Sequence, residues 1–99
     1  MLEPFWAIEL TIGFKNDFLK LNDKDMWRVS GFLRNVVYAN DPTEMYEITE
    51  CADCPPSVVL FGLSDDGLGN KGIEIQVWIN KKFNILHFLK CNKTTYKSD

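Results

Sequence analysis

The sequence is poor in cysteine and histidine, the residues that form disulfides, bind metals or act in catalysis in many small proteins. It contains three cysteines and one histidine among 99 residues. An odd number of cysteines argues against a disulfide framework. At the start, Glu3 and Pro4 stand where a secretory signal would carry positive charge. We therefore expect a cytoplasmic protein with free thiols.

Long hydrophobic runs are also missing, although the chain has ample material for a core. The most apolar stretch, residues 58–63, is far shorter than the roughly 20 residues of a membrane helix. Hydrophobic residues make up 45% of the chain and aromatic residues 13%, which is enough for a packed interior. We expect residues 1–99 to form a single domain without a membrane segment, ending in a frayed tail over 92–99.

The first half of the chain shows two different periodicities. Residues 5–14 alternate, with large apolar side chains at every second position, which predicts a strand with one buried face. A long helix is predicted to follow, capped by Asn22 or Asp23 and ending before Asn40. Its apolar residues recur at spacings of three and four: Met26, Val29, Phe32, Leu33, Val36 and Val37.

The segment 42–53 supports two interpretations. Asp41 as a cap, Pro42 at the first helical position and Glu44 at the third favour a short helix. Tyr46 and Ile48, however, are good strand residues, so a strand is the alternative.

Three further strands are predicted in the second half, over 57–63, 73–79 and 83–91. A loop over 64–72 and a tight connection at 80–82 separate them. The predicted fold class is α+β, with a mostly antiparallel four-stranded sheet and the long helix packed on one face.

Positive charge is absent from the middle of the sequence. Between Arg34 and Lys71 there is no lysine or arginine, and the seven acidic residues there are Asp41, Glu44, Glu47, Glu50, Asp53, Asp65 and Asp66. Four of them recur every three residues and would form an acidic stripe on a helix, but would alternate between faces on a strand. Such a stripe suits docking of a basic partner, and a merely solvated helix face is the alternative interpretation.

The lysines near the end of the chain do not indicate nucleic-acid binding. Residues 71–99 contain six lysines, no arginine and no nucleic-acid motif. Lysine at turns and sheet edges is a common protection against aggregation. We expect no nucleic-acid partner.

The cysteines and the histidine allow one metal-site hypothesis. Cys51, Cys54, His87 and Cys91 have the composition of a structural zinc site. If residues 83–91 form a strand, however, His87 and Cys91 lie about 13 Å apart along it. The Cys51 and Cys54 pair also runs into two prolines instead of heading a helix, which disfavours redox chemistry. We expect plain thiols, a histidine bonded to a backbone group, and no metal or cofactor.

Two tryptophans lie off the predicted apolar stripes. Trp27 stands beside the helix stripe, and Trp78 points away from the inward residues of its strand. Either both faces of the sheet are covered and the rings are buried, or the rings are exposed anchors for a partner.

Taken together, these features predict a small acidic protein-binding domain that is not an enzyme. Its concrete form would be an inhibitor, antitoxin or immunity-type protein that blocks a basic surface, as on a toxin or nuclease. The alternatives are a zinc-stabilised domain and a homo-oligomeric structural subunit, and the oligomeric state stays open. The predicted partner-binding residues are Glu44, Glu47, Glu50, Asp53, Tyr46 and Trp27.

Overall fold

The computed structural model describes residues 3–46, 48–51, 53–63 and 71–95. Within these ranges the chain forms five strands and three helices. In chain order they are β1 (Ala7–Leu10), α1 (Ile12–Leu19), α2 (Asp23–Val36), α3 (Pro42–Met45), β2 (Ile48–Glu50), β3 (Val58–Leu63), β4 (Lys71–Asn80) and β5 (Ile85–Thr95).

All five strands join one sheet in the order β1-β5-β4-β3-β2. β1 runs parallel to β5, and the other neighbouring pairs are antiparallel. The predicted α+β class is confirmed. The predicted count of four strands and one long helix is wrong, because α1 and β2 were not anticipated as separate elements.

α1 replaces the second half of the strand predicted over residues 5–14. Thr11 has an extended backbone, and its hydroxyl accepts a hydrogen bond from the Phe14 amide at 3.2 Å, which caps the helix. Phe14 and Phe18, four residues apart, then face the core together with ring centroids 6.3 Å apart. The predicted strand is therefore limited to β1, and its predicted buried face is wrong, because Ile8 is 41% exposed and Ile12, which falls in α1, is 76% exposed.

α2 confirms the predicted long helix. Asn22 caps it by accepting a hydrogen bond from the Asp25 amide at 2.8 Å. The buried residues Val29, Phe32 and Val36 form the inward stripe that the three- and four-residue spacing predicts.

The favoured helix over 42–53 is wrong beyond Met45. Asp41 caps α3 by accepting from the Thr43 amide at 3.0 Å, but Tyr46 is already extended. β2 then pairs antiparallel with β3, with Ile48 opposite Phe61. The strand alternative is therefore the correct one for residues 48–50.

β3, β4 and β5 form the predicted antiparallel strands. Asn84, with φ of 55°, closes the turn between β4 and β5 in the left-handed region that asparagine tolerates. Residues 92–95, expected in a frayed tail, instead continue β5 and pair with β4. Residues 64–70 of the predicted loop lie outside the described residues.

A bulge near the middle of β5 changes which side chains share a face. Gln76 pairs with Lys90 and Val77 with Phe88, so Leu89 is the extra residue. As a consequence, Cys91 points into the core opposite Ile75. His87, on the other side of the bulge, lies on the opposite face of the sheet.

α1 and α2 pack on one face of the sheet and enclose the core. The helices contribute Phe14, Val29, Phe32 and Val36, and the sheet contributes Phe61, Ile73, Ile75, Val77, Leu86, Phe88 and Cys91. We call the opposite side the helix-free face, since no described helix covers it. Among the described residues, no helix is both long enough and apolar enough to cross a membrane.

An ion pair with a buried carboxylate links the start of α2 to the sheet. The Asp25 side chain is only 5% exposed and lies 2.6 Å from Lys93 Nζ and 3.1 Å from Arg28 Nη1. Arg28 also donates to the Leu63 carbonyl oxygen at 3.2 Å. Burial by itself raises the Asp25 pKa, but the bonds and charges of Lys93 and Arg28 outweigh it, so the pKa lies below its usual value.

Replacing this carboxylate should destabilise the protein in a pH-dependent way. We expect Asp25→Asn to lower the free energy of unfolding by about 1–3 kcal/mol near neutral pH. Because the folded-state pKa is depressed, the carboxylate stabilises the fold above its unfolded pKa of about 4 and ceases to do so as pH falls through the folded pKa. Urea unfolding at several pH values measures this. The difference in the free energy of unfolding between the wild type and Asp25→Asn should become smaller in acid.

Asp23→Asn is the matched control, because Asp23 is an exposed aspartate in the same helical turn. Its effect should stay within about 0.5 kcal/mol. A loss for Asp25→Asn that is equally large in acid and at neutral pH would contradict the ion-pair explanation.

Candidate partner-binding surfaces

The predicted acidic stripe does not lie on one helix. Glu44 is exposed on α3, Glu50 belongs to β2, and Asp53 is exposed in the turn that follows β2. Glu47 lies outside the described residues. The helical stripe is therefore wrong, because strand pairing with β3 takes over after Met45. A role for these carboxylates in partner binding stays a prediction.

The two predicted aromatic anchors differ in accessibility. Tyr46 is half-buried, and its ring packs edge-on against Phe32 at 4.9 Å and Phe61 at 6.2 Å between centroids. Burial raises the pKa of its hydroxyl. Trp27 on α2, by contrast, is 71% exposed, with the Arg34 guanidinium carbon 5.9 Å from its ring centroid. Of the two rings, Trp27 is the one available to a partner.

A groove runs between the outer faces of α1 and α2, and we call it the interhelical groove. It consists of two cavities of about 660 and 270 Å³ that share Phe18 and Leu33. α1 supplies Lys15 and Leu19 to its walls. α2 supplies Asp23, Met26, Trp27, Ser30, Leu33 and Arg34.

The spacing of these α2 residues makes them a second stripe, beside the buried one. Positions three, four and seven apart share one side of a helix. From Asp23 to Arg34 the stripe extends about 16 Å along the axis, given a rise of about 1.5 Å per residue. The sequence contained this signal, but its spacing also placed Met26 in the core-facing stripe. Leu33, predicted in that stripe as well, does pack against the core and also borders the groove. Leu19, 71% exposed on α1, was missed together with that helix.

The helix-free face carries an ordered polar cluster around His87. His87 Nδ1 lies 3.0 Å from Glu9 Oε1, and the Asn80 side-chain amide lies 3.4 Å from Nε2. The imidazole stacks on Trp78, with centroids 4.3 Å apart and an angle of 19° between the planes. The expectation that His87 bonds to a backbone group is wrong. Parallel pairing of β1 with β5 places Glu9 beside it instead.

The turn between β2 and β3 is closed by a disulfide. Cys51 and Cys54 are bonded to each other, with their Cα atoms 5.3 Å apart. The Gln76 side-chain amide donates to Cys54 Sγ at 3.3 Å and ties the turn to β4. The expectation of free thiols at these two positions is therefore wrong, because the turn brings the two side chains into contact.

The proposed zinc ligands do not come together. The bond between Cys51 and Cys54 removes two of them, and Cys91 is buried on the face opposite His87. Burial, with the nearby carboxylates of Asp17 and Asp25, raises the Cys91 pKa to about 12. In the described part of the chain, no group of three metal-ligating side chains is present.

A second groove, which we call the sheet-face groove, lies between this turn and the helix-free face. Its volume is about 550 Å³. The Ser57 carbonyl oxygen accepts from the Ile79 amide at 2.9 Å, which holds the turn against β4. The residues that border the groove include Asp53, Ser57, Val58, Gln76, Trp78 and Leu89.

Comparison with known proteins gives a fold likeness and no family. No family model matches the chain, and no curated protein matches its sequence. One chain of the crystal structure of the toxin–antitoxin complex RelBE2 from Mycobacterium tuberculosis superposes with a TM-score of 0.69 at 11% sequence identity. The match covers 93% of this chain and 100% of that chain. At this identity the likeness shows the fold alone.

Reduction of the disulfide should weaken the fold modestly. Closing so short a loop stabilises a protein by about 2 kcal/mol at most in the chain-entropy model. We expect a reductant to lower the free energy of unfolding by up to that amount, measured by urea titration.

The Cys51→Ser, Cys54→Ser double variant is the control for other effects of the reductant. Its unfolding curve should be the same in both conditions and should match that of the reduced wild type. A reductant effect of equal size in the variant would show that the bond does not stabilise the fold.

Proposed function

We propose that this chain acts by binding another protein, as one member of a two-protein complex, and not by catalysing a reaction. The interhelical groove is the observation that carries this proposal. Large apolar side chains stand exposed beside it, with Trp27 and Leu19 each 71% accessible. Contiguous exposed apolar surface of this kind marks interaction sites in soluble proteins. The likeness to a chain of a toxin–antitoxin complex supports the same class of function.

The groove suits an amphipathic helix of the partner. Its length of about 16 Å corresponds to three helical turns. A helix presenting apolar residues at positions i, i+3 or i+4, and i+7 would place them between Phe18, Leu33 and Trp27. Lys15 and Arg34 favour acidic residues beside them, and Asp23 favours a basic one, so charge complementarity would fix the direction of the bound helix.

The acidic segment would assist by steering the partner. Residues 41–66 contain seven carboxylates and no lysine or arginine. Their combined field acts over a Debye length of about 8 Å, so it does not require them to share one helix. We retain Glu44, Glu47, Glu50 and Asp53 as steering charges for a basic partner. Tyr46 then shapes the junction of α3 and β2. The functional class we propose is an inhibitor, antitoxin or immunity-type protein.

A photo-crosslinking experiment tests where the partner binds. A photoreactive amino acid replaces Ser30, which lies in the groove, or Lys81, which lies in the hairpin turn, in cells that make the protein. The proposal expects a single crosslinked protein from position 30 and none from position 81. The crosslinked segment, made as a synthetic peptide, should become helical on binding the purified chain. A crosslink to a second copy of this chain would instead assign the groove to self-association.

Removing the Trp27 ring should weaken binding without weakening the fold. Buried aromatic anchors of interfaces contribute about 2 kcal/mol or more, so Trp27→Ala should raise the Kd of that peptide at least about 30-fold. The free energy of unfolding should change by less than about 0.5 kcal/mol, because the ring is exposed. Calorimetry and urea unfolding measure the two quantities.

Phe83→Ala provides the matched control, since Phe83 is an aromatic residue of similar exposure, 66%, in the hairpin turn. It should leave the Kd unchanged. Equal weakening by both substitutions would count against the interhelical groove as the binding site.

Reversing charge in the acidic segment should slow association. We expect Glu47→Lys combined with Glu50→Lys to lower the association rate constant with the intact partner several-fold at low salt, with little change in dissociation. The difference should fade as salt rises, because screening shortens the range of the field. Stopped-flow mixing at several salt concentrations measures this. A change confined to the dissociation rate would show direct contact instead of steering.

A further inference from the structure

The sheet-face groove lies on the opposite face of the sheet from the interhelical groove and differs from it in chemistry. Its surface combines an aromatic ring, Trp78, with a carboxylate, Asp53, and with the polar side chains of Ser57 and Gln76. The remaining lining residues are Cys54, Pro55, Val58 and Leu89.

We propose that the sheet-face groove binds the guanidinium group of an arginine side chain presented by a basic polypeptide, with the guanidinium stacked on Trp78 and paired with Asp53. This inference does not depend on the interhelical groove.

Trp78 is held in position before any ligand arrives. Its indole is 39% exposed, and one side of the ring is stacked against His87. His87 is itself fixed through both ring nitrogens, by Glu9 and Asn80. His87 covers one side of the indole, and Trp78 also borders the groove. A ring packed against a neighbouring side chain loses less entropy than a free one when a planar cation stacks on it.

Hydrogen-bond acceptors border the same space. The Gln76 amide nitrogen donates to Cys54 Sγ, which leaves its carbonyl oxygen as the end available to a donor. Asp53 is exposed and adds a carboxylate, and the Ser57 hydroxyl can accept as well. A guanidinium presents five N–H donors in one plane, so it can satisfy these acceptors while it stacks.

Charge in the groove favours a cation. Among the residues that border the groove, Asp53 is the charged one, and it is negative. An anionic ligand such as a nucleotide phosphate would meet Asp53 with no basic residue lining the groove. A lysine ammonium would pair with Asp53 but lacks the planar surface for stacking, so arginine should bind more tightly than lysine.

Titration of the isotope-labelled full chain, followed by amide and indole NMR signals, tests this. The probe is the blocked peptide acetyl-Gly-Arg-Gly-amide, and its lysine and citrulline counterparts are the comparisons. The arginine peptide should produce saturable shifts of the Trp78 indole and the Gln76 side-chain amide, with a Kd of about millimolar order for so small a ligand. The Trp27 indole should not move.

Two variants and their control decide the outcome. Asp53→Asn and Trp78→Leu should each raise the Kd at least about fivefold, while Glu3→Gln, which removes an exposed carboxylate that borders neither groove, should leave it unchanged. Circular dichroism confirms that each variant is folded. The proposal is overturned by an absence of saturable shifts, by equal affinity for the citrulline peptide, or by a Kd that Asp53→Asn does not alter.

Discussion

Parallel pairing of β1 with β5 is the constraint on which the arrangement of the molecule depends. β1 has only four residues, yet the Ala7 amide donates to the Asn84 carbonyl oxygen at 2.8 Å and the Thr11 amide to the Phe88 carbonyl oxygen at 3.1 Å. Parallel strands cannot be joined by a tight turn and need a crossover connection. Here the chain leaves β1 directly into α1 and α2, which must pack over the strand that β1 pairs with. All of the large helical surface consequently lies on one side of the sheet.

This one-sided layering produces two unlike surfaces. On the helical side, the outward faces of α1 and α2 leave an apolar groove with Trp27 at its rim. On the other side, no described helix covers the sheet. The disulfide-closed turn lies there and is bonded to Gln76 of β4. The ion pair between the buried Asp25 carboxylate and the partly exposed Lys93 amine links α2, one wall of the groove, to β5.

Periodicity correctly predicted the elements whose apolar residues fit only helical spacing or only strand spacing. α2, β3 and the hairpin of β4 and β5 follow from apolar spacing and turn residues alone. α1 could not be predicted in that way, because Phe14 fits both a strand alternation ending there and a helical pair with Phe18. Only the cap by Thr11, positioned by its bond to β5, decides between them. The sequence of residues 48–50 likewise fits both helix and strand, and pairing with β3 makes this segment a strand.

The surfaces were harder to predict than the elements. Trp27 was recognised as a candidate anchor because it stands off the buried stripe, but Tyr46 could not be excluded, since its burial depends on Phe61 in a distant strand. The bulge at Leu89 separated His87 from Cys91, and no local feature of the sequence marks that bulge. Residues that share a groove across two helices, such as Phe18 and Leu33, become neighbours only through tertiary packing.

Amide hydrogen exchange of the complex with the crosslinked partner tests the central claim most directly. If the partner helix lies in the interhelical groove, amides of α1 and α2 should exchange more slowly in the complex than in the free chain. The amides of residues 42–54 should then change little, because the acidic segment acts at a distance. Slower exchange confined to residues 42–54, with α1 and α2 unchanged, would contradict the proposal and assign binding to the acidic segment itself.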